Sequence, residues 1–310
     1  MIRHLRPTDT AALLPFRRAA GTAQAFTVAG ALHSTNHGFP VARYAALALS
    51  PRAWRQCWVD ADAGGLWALT SVGARTTATT WETRDLFTVD RDEDRCAELL
   101  HEVGVAAGEH KVMRVFLRAE HGSWLTHPAR RAGYEPAATE TLYVLVQSSR
   151  GAPAHRPPSS GVLRARAATD DHSLFRLYCA AAPVQLRAES GMTATEWWSA
   201  LEKPWRKPSE VVDEHNGEVV GWLRHGGVDG WWFFSLLARP SAVDRIPALV
   251  HAAVVAANGR PVATLVADFD TAQAAVIERL GFVPERRFQV MTQTVATRAR
   301  EPKGVVVAAS

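Results

Sequence analysis

Two carboxylates, Asp268 and Asp270, follow an apolar run that is typical of a strand, Val262 to Ala267. They are two residues apart, so an extended chain directs both side chains to the same face. Carboxylates placed this close can share a proton, or bind a cation or an amine. The alternative is structural, because Asp270 or Thr271 is also a suitable N-cap for the helix predicted next.

A second acid–base pair, Glu120 and His121, follows the strand predicted at Val112 to Arg118, with Trp124 and His127 close behind. A carboxylate beside an imidazole can exchange protons near neutral pH. The alternative is an ordinary polar loop between a strand and a helix.

His33 and His37 are four residues apart, a spacing that places two metal ligands on one face of a helix. Gly38 and Pro40 instead indicate a loop, and no third ligand type stands nearby. We therefore predict no metal site.

The second half of the chain is rich in tryptophan, and Trp231 to Phe234 are four consecutive aromatics. On a strand they point to alternate faces, so one pair packs in a core and the other is available to line a cleft. The candidate cleft residues are Trp197, Trp198, Trp205, Trp222, Trp232 and Phe234. Such a cleft suits an apolar ligand or a cation, while core packing is the alternative.

Composition limits the class of protein. The chain has 310 residues, a net charge of only +4 and 47% hydrophobic residues, which fits two globular domains. No basic segment indicates a nucleic-acid partner. The three cysteines are far apart, and neither a signal peptide nor a membrane-spanning run is evident. We expect a cytoplasmic protein; its oligomeric state is not indicated.

The same sequence plan occurs twice. Arg130 to Pro136 and Glu278 to Pro284 each end a helical run with Gly, an aromatic and then Pro. The starts also match, with Arg3 and Asp9 in one half against Arg164 and Asp170 in the other. We predict domains at 1–146 and 162–297, a Ser/Pro/Gly-rich linker at 147–161 and a flexible tail at 298–310.

In the second half the patterns predict the order β, α, α, β, β, β, α, β, α, β. Asn216-Gly217 indicates a hairpin turn, and Gly281 closes the last helix. In the first half, Pro128 predicts that the final helix is short or kinked.

This order, with Gly281-Phe282 and Gly133-Tyr134 after the last helices, resembles the GNAT superfamily of N-acetyltransferases. The resemblance implies an α/β (α+β) fold of two tandem domains, each a mixed, mostly antiparallel sheet flanked by helices. It also implies an acetyl-CoA or other acyl-CoA donor, and an acceptor-binding loop near His33 and His37.

The resemblance is incomplete where the family binds the CoA pyrophosphate. The family has a glycine-rich loop there, which brings backbone N–H groups close to phosphate. This chain has none: Leu237 to Pro247 lacks glycine, and Val89 to Ala97 lacks glycine and carries four acids. The acids would repel phosphate, so we expect no CoA in the first domain. In the second domain the implied donor-binding residues are Leu237, Arg239, Ser241 and Arg245.

The family's usual catalytic tyrosine is also missing. Its position holds Ile277 in the second domain and Ala129 in the first, and the usual asparagine is Asp270 or Gly122. Any transfer chemistry must therefore use other groups, for which Asp268 and Asp270 are the candidates.

Three hypotheses follow. The first is an atypical acyltransferase that moves an acyl group from a thioester to a small-molecule amine. The second is a GNAT-like protein that has lost CoA-dependent transfer and binds a small molecule or catalyses another reaction, such as decarboxylation or hydrolysis. The third is transfer from aminoacyl-tRNA, although no basic stripe for tRNA is evident.

Overall fold

The computed structural model describes residues 1–33, 38–50, 56–145, 162–205 and 207–295. The linker and tail expected at 147–161 and 298–310, and His37, lie outside the described residues. The strands are β1 (Ile2–His4), β2 (Cys57–Asp62), β3 (Gly65–Ala74), β4 (Thr80–Thr88), β5 (Arg114–Glu120), β6 (Glu135–Leu145), β7 (Val162–Ala165), β8 (Ser209–His215), β9 (Glu218–Val228), β10 (Trp231–Ala238), β11 (Val262–Ala267) and β12 (Val283–Thr294).

The helices have the same positions in both halves of the chain: three follow the first strand, one follows the fourth and one follows the fifth. They are α1 (Leu13–Ala19), α2 (Val28–Leu32), α3 (Val41–Leu49), α4 (Glu93–Glu109), α5 (Thr126–Arg131), α6 (Asp171–Ala181), α7 (Val184–Ser190), α8 (Ala194–Ala200), α9 (Ile246–Ala257) and α10 (Thr271–Arg279). Short 3₁₀ helices span Pro7–Ala11, Ala168–Asp170 and Pro240–Arg245. We call β1 to β6 the N-terminal repeat and β7 to β12 the C-terminal repeat.

The two repeats begin with the same ion pair. Arg3 donates to both carboxylate oxygens of Asp9 at 2.7 and 2.8 Å, and Arg164 donates to both oxygens of Asp170 at 2.8 Å. Each aspartate also accepts from the backbone N–H three residues earlier, at 2.7 Å. The matching Arg and Asp positions in the sequence thus reflect one structural element that is built twice.

Glycine and asparagine form the turns that the sequence predicts. Asn216 and Gly217 have φ of 51° and 75° in the β8–β9 hairpin, and Gly133 and Gly281 have φ of 90° and 91° after α5 and α10. Left-handed backbone of this kind favours residues without a branched Cβ. Helix α5 is short, as Pro128 predicts. Helix α7, between α6 and α8, is an additional helix that the patterns did not predict.

All strands in the described residues belong to one 12-stranded sheet in the order β1-β2-β3-β4-β5-β12-β6-β11-β10-β9-β8-β7. The last strands of the repeats are exchanged, because β12 pairs with β5 of the N-terminal repeat and β6 pairs with β11 of the C-terminal repeat. The two exchanged strands also pair with each other, antiparallel, from Val283↔Val144 to Thr292↔Glu135.

The exchanged strands supply core residues to the opposite repeat. Met291 of β12 is buried among Leu99 and Leu117 of the N-terminal repeat. Tyr143 of β6 lies in the cluster that contains Leu249 and Phe282 of the C-terminal repeat. Each core is therefore complete only when both repeats are folded.

Candidate functional site

Each repeat has one pair of parallel strands, and each pair separates after a short ladder. Strands β4 and β5 pair only from Thr80↔Arg114 to Glu82↔Phe116. Strands β10 and β11 pair only from Trp232↔Val262 to Phe234↔Thr264. Both strands of each pair continue beyond the ladder, which leaves an N-terminal gap between β4 and β5 and a C-terminal gap between β10 and β11.

The N-terminal gap is filled by the chain itself. In the segment after α1, the N–H of Gln24 donates to the carbonyl of Leu86 on β4 at 2.8 Å, and the N–H of Phe26 donates to Arg118 on β5 at 2.9 Å. Ala25, between them, forms a β-bridge with Ala119. The segment therefore occupies backbone hydrogen-bonding groups of both strands, and these groups are not available to a ligand in the gap.

The C-terminal gap is not closed in this way. The segment after α6, at the same place in the second repeat, folds into α7, which contacts β6 and β12. Among the described residues, no segment forms a β-bridge between the separated parts of β10 and β11. Side chains from these parts line one cavity on each side of the gap.

The larger cavity has a volume of about 270 Å³ and lies between the two repeats. We call it the inter-repeat cavity. Its apolar wall includes Phe116, Trp197, Trp205 and Phe233, and Ser235 and Leu237 of β10 border it at the C-terminal gap. Its charged residues are Arg75, Arg118 and Glu140 from the N-terminal repeat, and Glu202 and Arg224 from the C-terminal repeat.

Four of these charges form one cluster that crosses the repeat boundary. Glu202 accepts from Arg75 at 2.9 Å and from Arg118 at 2.7 Å, and Arg118 also pairs with Glu140 at 3.0 Å. Burial alone would raise the pKa of Glu202, but Arg118 and Arg75 outweigh it and lower that pKa to about 2. Glu202 is therefore an ionised link between the repeats rather than a proton acceptor.

The fifth charge, Arg224, has a different environment. Its side chain stacks on Trp222 and Trp205, with the guanidinium carbon 4.8 and 5.4 Å from the ring centroids. It donates to the backbone carbonyl of Glu202 at 3.0 Å and has a long contact, 3.5 Å, with the hydroxyl of Ser235. Burial lowers the pKa of Arg224 to about 10, which leaves the guanidinium charged at neutral pH.

The smaller cavity, about 160 Å³, lies at the outer end of the C-terminal gap. We call it the entrance pocket. It is bordered by Arg239, by the 3₁₀ helix Pro240–Arg245 and by Asp270 and Thr271 at the start of α10. Arg239 forms an exposed ion pair with Glu218 at 2.8 Å. Ser241, two residues after Arg239, is exposed.

Asp270 caps α10, as the alternative interpretation predicts. Its side chain accepts from the N–H of Gln273 at 3.0 Å, and burial raises its pKa. Asp268 does not share a site with it, because Asp268 forms an ion pair with Arg287 and accepts from the hydroxyl of Thr141 at 3.2 Å. The two carboxylates do not act as a pair.

Glu120 and His121 lie away from both cavities. Glu120 is paired with Arg286 at 3.3 Å, and its side chain is 46% exposed. His121 is exposed. His33 contacts Asp229 at 3.3 Å beside a third cavity, which is separate from the inter-repeat cavity.

Arg245 is not available to bind phosphate, contrary to the sequence-based expectation. It donates to both oxygens of the fully buried Asp213, at 2.6 and 2.7 Å. The N-terminal repeat has the same interaction, since Arg95 at the start of α4 pairs with Asp60 at 2.6 Å. A buried pair that occurs at the same place in both repeats stabilises the attachment of the long helix to the sheet.

The aromatic residues divide between the two faces of the sheet. Trp197 lines the inter-repeat cavity together with Trp205 and Phe233. Trp232 and Phe234 point to the opposite face and pack in the core beneath α9, so they do not line it. Trp198 and Trp222 do not line the cavity but pack against Trp197, with ring centroids 4.7 and 5.8 Å from that of Trp197.

The charged residues of the inter-repeat cavity were not predicted from the sequence. A signal was present, because Arg118 and Arg224 each interrupt an otherwise apolar run within a strand. Such residues are rarely buried unless they are paired or functional. Their convergence depends on how the repeats meet, which is a tertiary feature.

In the described ranges, no group of three His, Cys, Asp or Glu side chains is arranged to hold a metal ion. No described helix is long and apolar enough to cross a membrane.

No protein-family model matches the sequence, and neither does any curated protein. Solved structures do resemble the chain. A GCN5-related N-acetyltransferase from Sphaerobacter thermophilus aligns over 95% of both chains with a TM-score of 0.58 and 13% identity. A tandem GNAT protein from the clavulanic acid biosynthesis pathway aligns over 96% of this chain and 99% of its own, with a TM-score of 0.53 and 14% identity.

A putative acetyltransferase from Pyrococcus horikoshii gives a TM-score of 0.51 at 12% identity, over 96% of this chain and 89% of its own. The chain has a tandem GNAT fold. Within that fold, the two gaps are the places where the central strands separate. Identity this low shows the GNAT fold and leaves the reaction to be argued from the site.

Proposed function

We propose that this tandem GNAT protein transfers an acyl group from an acyl-CoA to a small-molecule amine, and that only the C-terminal repeat binds the donor. The observation that carries the proposal is the difference between the gaps. Residues Gly21 to Phe26 fill the N-terminal gap with backbone hydrogen bonds, whereas the inter-repeat cavity and the entrance pocket border the C-terminal gap.

The residues at the C-terminal gap fit a CoA thioester in part. Arg239 stands at the entrance pocket, where its exposed pair with Glu218 can exchange for a phosphate. Leu237 lines the inter-repeat cavity instead, and Ser241 is exposed two residues after Arg239. The 3₁₀ helix Pro240–Arg245 replaces the glycine-rich loop, so fewer backbone N–H groups are offered. The N-terminal repeat does not fit, because Asp92 and its acidic neighbours stand at the start of α4.

When bound, the donor supplies an acyl carbon that is activated by its thioester. The protein residues supply the acceptor side. Glu140 lines the inter-repeat cavity with its side chain 23% exposed, and it accepts from Arg118. We propose that Glu140, rather than Asp268 or Asp270, holds and orients the amine, because of these three carboxylates only Glu140 lines the inter-repeat cavity.

A second candidate is a GNAT-like protein that binds a small molecule without acyl transfer. It is favoured by the glycine-free loop and by Ile277, a fully buried side chain where the family has its catalytic tyrosine. In that case the inter-repeat cavity is the binding site, and the C-terminal gap has no ligand.

Calorimetric titration with acetyl-CoA separates the two candidates. We expect wild-type binding, and a loss of about 10- to 100-fold in affinity for Arg239→Glu, because a charge-assisted hydrogen bond contributes about 1.5–3 kcal/mol. Arg91→Glu is the matched control, since Arg91 is exposed in the loop before α4 and carries the same charge. It should bind like the wild type.

Two results contradict the proposal. One is the absence of heat at millimolar acetyl-CoA, which leaves the small-molecule-binding candidate. The other is equal weakening by Arg239→Glu and Arg91→Glu, which indicates a general charge effect without a donor site at the C-terminal gap.

A further inference from the structure

Among the described residues that line the inter-repeat cavity, three are arginines and two are glutamates. Arg75 and Arg118 both have carboxylate partners. Arg224 has none within ion-pair distance among the described residues, although only 8% of it is exposed. Its Nε atom is buried and has no hydrogen-bond partner in the described part of the chain.

The candidate partner on the neighbouring strand already has other contacts. Glu210 lies directly across the sheet from Arg224 in the β8–β9 register. Its carboxylate instead accepts from the indole N–H of Trp222 at 3.2 Å and lies 3.5 Å from Arg166. A buried guanidinium without an anion costs free energy, which is why such residues are usually paired.

The fold does not require an arginine at this place. The β2–β3 and β8–β9 hairpins have equivalent cross-strand pairs. The pair Asp60↔Ala68 corresponds to Asp213↔Gly221, and three residues further from the turn Cys57↔Ser71 corresponds to Glu210↔Arg224. The N-terminal repeat therefore builds the same strand position with a serine. Ser71 satisfies its hydroxyl with Asp85 at 3.0 Å. Arg224 is a feature of the C-terminal repeat alone.

Arg224 also lies where the two substrates of a transfer reaction would meet. Its cross-strand neighbour Ser235 is the first residue of β10 beyond the last pair with β11, Phe234↔Thr264. The guanidinium is therefore at the inner end of the C-terminal gap, in a cavity whose other walls are Trp197, Trp205 and Phe233.

From these observations we infer that Arg224 binds a carboxylate of the molecule that occupies the inter-repeat cavity. The substrate class is then a carboxylic acid with an apolar body: either an amine acceptor that carries a carboxylate, or an acyl group with a carboxylate at its far end. The assignment of this molecule as a substrate rests on the proposed acyl transfer; the anion site itself does not.

The test uses calorimetry on the full-length protein with two probes, 3-phenylpropanoate and its neutral counterpart 3-phenylpropanamide. We expect the wild type to bind the carboxylate about 10- to 100-fold more tightly, the range of a charge-assisted hydrogen bond. Arg224→Met should bind both probes equally. The matched control is Arg260→Met, because Arg260 also stacks on an indole, that of Trp232 at 4.1 Å, but lies outside the cavity.

The inference is overturned if the wild type binds both probes with the same affinity, a measurement that needs no variant. It is also overturned if Arg224→Met keeps the preference for the carboxylate, or if Arg260→Met loses it. Arg224→Lys provides a second variant, which keeps a positive charge and should keep a reduced preference.

A second titration identifies the source of the carboxylate. If it belongs to the donor, succinyl-CoA binds more tightly than acetyl-CoA to the wild type and equally to Arg224→Met. If it belongs to the acceptor, the two donors bind equally and 3-phenylpropanoate binds together with acetyl-CoA. Binding of 3-phenylpropanoate without any binding of either CoA ester supports the anion site and refutes the proposed acyl transfer.

Discussion

The link between the repeats depends on Glu202, and replacing it with glutamine tests this directly. The side chain of Glu202 is 19% exposed and accepts from Arg75 and Arg118 of the other repeat. Glu202→Gln keeps the shape and one hydrogen-bond acceptor, but it leaves two largely buried guanidinium groups with less negative charge. Removing one partner of a buried ion pair costs about 3–5 kcal/mol, so we expect a loss of about 2–4 kcal/mol in the free energy of unfolding.

The lowered pKa of Glu202 gives a second, independent value for the stability that its ionised form contributes. Lowering it from 4.5 to about 2 corresponds to about 3 kcal/mol, at about 1.4 kcal/mol for each tenfold change in proton affinity. The pKa is lower in the folded protein, so the contribution is full above pH 4.5 and is lost as the pH falls towards 2. Between pH 7 and pH 3.5 the stability difference between wild type and variant should shrink by about 1 kcal/mol.

The measurement is urea unfolding followed by circular dichroism at pH 7 and pH 3.5. Asp94→Asn is the control, because Asp94 pairs with Arg131 while its side chain is 78% exposed, and it should cost less than about 1 kcal/mol. A cost for Glu202→Gln below about 1 kcal/mol at pH 7, or a difference that does not change with pH, would refute the role of Glu202 as an ionised link.

Three further predictions concern Arg245, the exchanged strands and Arg239. Arg245→Met should lower the free energy of unfolding, measured in urea, by about 3–5 kcal/mol, because it leaves the fully buried Asp213 without its partner. The folded variant should bind acetyl-CoA like the wild type. Weaker binding would indicate that Arg245 does contact the donor. Met291→Ala should lower the free energy of unfolding by about 2–5 kcal/mol and speed amide hydrogen exchange in β5, since Met291 is a fully buried part of the N-terminal core. If amide hydrogen exchange became faster only in the C-terminal repeat, the assignment of β12 to the N-terminal core would be contradicted. Glu218→Gln should tighten acetyl-CoA binding by up to about fivefold, because it releases Arg239 from an exposed ion pair that contributes at most about 1 kcal/mol. Weaker binding would argue against a phosphate contact at Arg239.

Local features of the fold follow from the sequence alone. The paired Arg and Asp residues, the Asn216-Gly217 hairpin and the glycines after α5 and α10 each act within a few residues. Their geometry depends on backbone conformation and short-range hydrogen bonds, which the residue types specify. The duplication and the GNAT-like order of elements were therefore predictable.

The site was less predictable, because its residues are remote in sequence. Asp268 and Asp270 are two residues apart in the sequence, yet Asp268 forms an ion pair at the surface and Asp270 caps a helix. Arg118, Glu202 and Arg224 meet only after the repeats have packed together.

What the sequence determined by itself is most of the elements in each repeat, although not α7, since hydrophobic period, caps and turns are local properties. Tertiary structure alone decided which last strand joins which sheet: β6 and β12 carry similar patterns and both end a repeat, so no local rule selects their neighbours. It also decided that residues Gly21 to Phe26 fill one gap, whereas no segment in the described part of the chain bridges the other. The hydrogen bonds that fill the first gap join strands about 60 and 90 residues further along the chain, and such long-range pairing follows from the packing of the whole fold.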